Sequence, residues 1–150
     1  MAMNYRQIIE SLNGLKAEDF DLNRAEADGQ QRLHSLTNEL LQQPNPERAI
    51  PALFAVMERM PDVDLGSPGP LVHTLEKIRT YERELVASLH RTPCPLTVWM
   101  VNRVLNATKN SEQRQSWLNL LDSVAKNPAA IPEVRQAALG FIKYQKENSK

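Results

Sequence analysis

The chain of 150 residues holds one cysteine, five glycines, two tryptophans, three tyrosines and three phenylalanines. A single cysteine excludes an internal disulfide framework. No apolar run approaches the roughly 18 residues that a membrane-spanning helix needs, and residues 1–9 show no basic segment followed by a long apolar one. The expectation is therefore a cytoplasmic protein with no membrane partner. No GxxxxGK[ST], GxGxxG, HExxH or GxSxG pattern occurs, so phosphate-cradling loops and the common hydrolase sites lack support. Net charge is missing too, since 18 basic side chains offset 18 acidic ones, which argues against general binding to nucleic acid or to a membrane surface. There is no strand candidate and no hairpin turn between alternating apolar runs.

What is present is helical periodicity. Tyr5, Ile8, Ile9 and Leu12 follow the i, i+3, i+4, i+7 pattern, and Gly14 stands where that helix would stop. Leu33, Leu36, Leu40 and Leu41 mark a second stripe, ended by Pro44, whose ring and missing N–H prevent continuation. Leu53, Val56, Met57 and Met60 follow Pro46, and Pro51 either kinks their helix or marks its proper start. Residues 61–70, PDVDLGSPGP, carry three prolines and two glycines and read as the longest break. Leu71, Leu75 and Ile78, then Leu85, Val86 and Leu89, change phase near Thr80 and predict two helices. Pro93 and Pro95 open another, with Val98, Val101, Val104 and Leu105 on one face. Ser111 is the expected cap of the next, whose Trp117, Leu118, Leu121 and Val124 face inward. Pro132 starts the last, where Val134, Ala137, Ala138, Phe141 and Ile142 form the stripe to be buried. Gly140 lies inside it and costs about 1 kcal/mol relative to alanine, so a closely approaching neighbour helix is the expected compensation. These patterns predict an all-α fold of seven or eight helices in one domain over residues 1–150, with a frayed tail at 144–150.

Two stretches of equal length, 46–79 and 111–144, each read as helix, turn, proline-containing start and helix, with a further pair over 81–108 between them. Amphipathic pairs that cannot bury their apolar faces alone either stack side by side or form an irregular bundle. The segment LLDSVAKNPAAIPEVRQAALGFI, Leu120 to Ile142, resembles a HEAT-type repeat, in which a proline turn precedes a V-R-x-x-A helix start. This resemblance implies stacked antiparallel pairs in a HEAT-like superhelix.

A second resemblance concerns GSPGPLVH, Gly66 to His73, and SLHRTPCPLTVWMVNRVLN, Ser88 to Asn106. With Leu85, Ser88, Arg91, Pro93, Thr97, Trp99, Asn102 and Arg103 setting its texture, this part of the chain is similar to the small helical immunity proteins encoded beside bacterial polymorphic and contact-dependent toxins. The resemblance implies a protein with no catalytic activity and no cofactor that binds one cognate toxin domain and covers its active or target-binding surface. A HEAT-like adaptor without a toxin partner is the alternative, and a helical enzyme is the remainder.

Charge balance is only global. Residues 1–65 hold six basic and eleven acidic side chains, net minus five, whereas residues 66–150 hold twelve and seven, net plus five. Glu18, Asp19, Asp21, Glu26 and Asp28 fall within eleven residues relieved only by Arg24. Many toxins of that kind are nucleases with basic clefts, and an acidic patch would steer the encounter and occupy phosphate positions. Glu18, Asp19, Asp21, Glu26, Asp28, Asp62 and Asp64 are accordingly the expected partner-binding residues, against the plainer reading of a solvated face. His34, His73 and His90 stand on separate predicted helices without an i, i+4 companion, which gives no metal site. His73 is expected to bond the preceding loop backbone, and Cys94, between two prolines, to be a half-buried structural thiol. Arg79, Arg83, Arg91, Arg103 and Arg114 are interleaved with Glu76, Glu82 and Glu84, a mixed helix surface rather than a nucleic-acid face.

Overall fold

A computed structural model describes residues 3–148 and is all-α, with eight α-helices and no strand among the described residues. The chain divides into two compact units, one ending at Glu84 and the other beginning at Leu85. No described helix is long and apolar enough to cross a membrane.

In the first unit α1 spans Tyr5–Asn13, and Asn4 caps it reciprocally with Gln7: Asn4 Oδ1 accepts from Gln7 N at 2.9 Å, and Gln7 Oε1 accepts from Asn4 N at 3.0 Å. Gly14 ends it, as the periodicity predicted. A 3-10 turn, Ala17–Phe20, leads to α2, Gly29–Leu41. A second turn, Pro46–Ala49, precedes α3, Ile50–Arg59. Pro51 therefore stands in the first turn of α3 and starts the helix, where its missing N–H leaves no bond unmade. Helix α4 spans Gly69–Ile78 and ends on Arg79, which takes the left-handed conformation at φ 76° and is the origin of the phase change near Thr80. Helix α1 packs on α2 and α3, and α2 packs on α4. Ile8, Leu12, Leu33, Leu53, Phe54 and Leu75 are completely buried there. Arg59 closes the α1 end: Nη2 donates to Leu12 O at 2.8 Å, in the last turn, and Nε donates to Leu15 O at 3.3 Å, just beyond the helix.

Helix α5, Glu82–Arg91, begins at the end of the first unit; α6, Pro95–Ala107, α7, Ser111–Ala125, and α8, Pro132–Asn148, belong to the second, where α8 packs on both α6 and α7. The cap of α7 is Asn110 rather than Ser111: Asn110 is extended and its Oδ1 accepts from Gln113 N at 2.9 Å, so Ser111 is already helical. The expected close approach at Gly140 is overturned, because a Cβ placed there would meet nothing within 4 Å. On α8, Val134 and Ala138 are buried as expected, Phe141 and Ile142 only partly, and Gln145 occupies the next inward position at 3% exposure. That amide is fully engaged. Its Nε2 donates to Asn102 Oδ1 at 2.7 Å and Asn106 Oδ1 at 2.8 Å, while its Oε1 accepts from Arg114 Nη2 at 3.0 Å. Arg114 Nη1 donates in turn to Leu105 O at 2.6 Å, at the end of α6. The tail expected to fray from 144 is helical through Asn148, whose side chain donates to Tyr144 O at 2.8 Å; residues 149 and 150 lie outside the described residues.

Candidate functional site

The acidic stretch of the first unit is an ordered segment between α1 and α2. Leu15 and Phe20 anchor it in the core, and Gly29, buried at the start of α2, lets the helix lie against it. A Cβ on Gly29 would sit 2.6 Å from Asp19 O and 2.9 Å from Phe20 Cδ1, so only glycine fits at this crossing without movement of the backbone. Successive turns then shape the segment: Arg24 N donates to Asp21 O at 3.0 Å and Ala27 N to Arg24 O at 3.1 Å.

These turns fix the carboxylates differently from one another. Glu18 Oε2 pairs with Arg24 Nη1 at 2.8 Å. Asp19 Oδ2 accepts from Lys16 N at 2.8 Å, and its Oδ1 lies 3.5 Å from Arg32 Nη1, which also reaches Asp28 Oδ1 at 3.2 Å. Asp21 Oδ1 accepts from Asn23 N at 2.9 Å. Arg32, beyond the eleven-residue window, is thus a second compensating cation, placed four residues after Asp28 where helix spacing makes the pair. Glu26 is exposed and has no hydrogen bond or ion pair among the described residues.

Asp64 comes to the same region, while Asp62, exposed on the same loop, is not tied to it. Gln30 Nε2 donates to Asp64 O at 2.6 Å, which ties the loop before α4 to the first turn of α2, while Asp64 Oδ1 accepts from Gly66 N at 3.0 Å. Two shallow depressions open on this surface, one of about 170 Å³ lined by Glu18, Asp19, Arg24, Glu26 and Ala27, the other of about 220 Å³ with Phe20 and Leu22 on its wall. Both fall short of the roughly 300 to 1,000 Å³ that ordinarily encloses a small molecule.

Neither protein-family models, nor curated proteins, nor solved structures give a match to this chain.

The residue that sequence reasoning missed is Leu22. Phe20 takes the core position, the chain turns at Asp21, and Leu22 is thrown outward at 93% exposure among carboxylates. Its one sequence signal was negative: at i±3 and i±4 it has no large apolar companion, only Ala25. Elsewhere, candidate chemical groups serve the fold. Cys94 is more deeply buried than expected, at 2%; it caps α6, with its N donating to Thr97 Oγ1 at 3.1 Å and its Sγ 3.3 Å from that hydroxyl. His73 does not bond the loop backbone; it is exposed, with Nδ1 3.9 Å from Glu76 Oε1. Arg114 is half-buried and turned toward Gln145. No three His, Cys, Asp or Glu side chains among the described residues come together as metal ligands would.

Proposed function

We propose that this chain is an immunity protein acting in the cytoplasm, where it binds a cognate bacterial toxin domain and covers its active or target-binding surface. One observation carries the reading: Leu22, 93% exposed, stands on an ordered acidic segment held in place by Phe20 and Gly29. Leaving a whole leucine side chain in water forgoes about 1.5–3 kcal/mol, and a partner that buries it recovers that sum. Around it, Asp21 and Glu26 offer charge to a basic partner, and the fixed turns mean that little ordering entropy is lost on binding. Occlusion of a basic nuclease cleft fits this chemistry, since carboxylates occupy the positions that phosphates would take.

The test is co-expression with the product of the neighbouring reading frame, scored for rescue of growth. Rescue by the wild-type chain, lost in Leu22→Asp combined with Glu26→Lys while helical circular dichroism is unchanged, is the expected result. Soluble wild-type protein without rescue rejects the immunity reading in favour of the adaptor. The structure also directs the choice of variants: Asp19 bonds the Lys16 backbone and Arg32, so reversing its charge disturbs the segment itself, whereas Leu22 and Glu26 are exposed.

A further inference from the structure

Among the described residues four large apolar side chains are exposed: Leu22, Ile131, Leu139 and Tyr144. Leu22 belongs to the first unit and the other three to the second. The surroundings of Leu139 are the reverse of those of Leu22. On α8, Arg135 lies four residues before it, Lys143 four after and Lys146 seven after, with half-buried Ile142 three after, so all fall on its side of the helix. The two acidic residues of α8 lie off that side, Glu133 about 120° and Glu147 about 80° round the helix from Leu139. Arg135 and Lys143 form no ion pair among the described residues, and Arg135 Nε is buried without a hydrogen-bond acceptor. The same contrast holds for whole units. Residues 1–84 carry nine basic and fourteen acidic side chains, net minus five; residues 85–150 carry nine and four, net plus five.

We propose that copies of this chain associate head to tail, with Leu22 and the acidic segment of one copy seated on the basic-rimmed Leu139 side of α8 of another. The charges choose this pairing over the two symmetric ones. Segment against segment would face carboxylates with carboxylates, and α8 against α8 would face Arg135 and Lys143 with their own copies, whereas the crossed contact sets Asp21 and Glu26 against those cations and removes both leucines from water together. One leucine on a small charged patch makes a weak contact, with dissociation in the range of about 0.1–1 mM. The proposal does not depend on the immunity reading; if both hold, a toxin with a basic cleft and a second copy compete for one segment.

Sedimentation equilibrium of the full chain from about 10 μM to about 1 mM, in about 50 mM and about 500 mM salt, tests it. The average mass is expected to rise with concentration in low salt and to rise markedly less in high salt. Leu22→Asp and Leu139→Asp, both at exposed positions, should each weaken association at least about tenfold, and the milder Leu22→Ser and Leu139→Ser should follow in the same order. An equimolar mixture of Leu22→Asp and Leu139→Asp should recover association, because the first keeps an intact α8 side and the second an intact acidic segment. A monomer at every concentration in low salt overturns the proposal. So does a Leu22→Asp variant that associates like the wild type, or a mixture that stays monomeric.

Discussion

A methyl group added at Gly140 would meet open space, and one added at Gly29 would meet Asp19 O and Phe20 Cδ1 under 3 Å away, so one substitution has opposite consequences at the two sites. Gly140 lies in the middle of α8 and its backbone is helical. Alanine there reduces the freedom of the unfolded chain without a clash, and Gly140→Ala is expected to stabilise by about 1 kcal/mol, a rise of about 2–4 °C in Tm by calorimetry. At Gly29 the obstacles are a main-chain carbonyl and a core ring. Gly29→Ala should push α2 away from the acidic segment, destabilise by about 1–3 kcal/mol, and raise proteolytic nicking between residues 21 and 28. Equal Tm values for the two variants would contradict the close crossing at Gly29.

At the scale of helices, most boundaries were legible because proline and glycine act locally: Gly14 stops α1, and Pro132 opens α8. Apolar stripes located the inward faces for the same reason, since burial follows the 3.6-residue period. What was illegible depended on partners distant in sequence. Gln145 looked like part of a polar tail and is the centre of a buried network reaching Asn102 and Arg114, 43 and 31 residues away. Arg32 lies outside the acidic window in sequence and reaches Asp19 only through the fold, and Leu22, with nothing larger than Ala25 at helical spacing, gave no sign that it would project into water. Of the seven expected site residues, the sequence marked the region; the division between compensated carboxylates such as Glu18 and the unpaired Glu26 came from turn geometry. The network makes a prediction of its own. Gln145→Leu keeps the volume but leaves the side chain of Asn102, which is 7% exposed, without its donor, and should destabilise by about 2 kcal/mol in urea unfolding. Arg114→Ala should act on the same elements, and the double variant should lose less than the sum of the singles. Full additivity would show that the bonds do not work as a unit.

For the molecule as a whole, the lack of net charge conceals a division that coincides with its structural units, minus five up to Glu84 and plus five from Leu85. A neutral chain has no net monopole to attract a distant partner, but at physiological salt the field is screened beyond about 8 Å, so an approaching surface responds to the nearer unit rather than to the total. A toxin with a basic cleft would therefore be steered by the first unit despite the zero sum. Long-range charge acts mainly on the rate of encounter, and buried apolar contact mainly on the rate of escape. The two parts of the segment should separate kinetically. If the proposed immunity role holds, raising salt from about 50 to about 500 mM should lower the association rate with the toxin about tenfold and change dissociation much less. Glu26→Lys should reproduce the salt effect by slowing association, whereas Leu22→Asp should leave association nearly unchanged and speed dissociation about tenfold or more. Surface plasmon resonance with immobilised toxin reads both rates. An association rate that ignores salt, together with a Glu26→Lys variant that binds as the wild type does, would place the toxin on another part of the molecule.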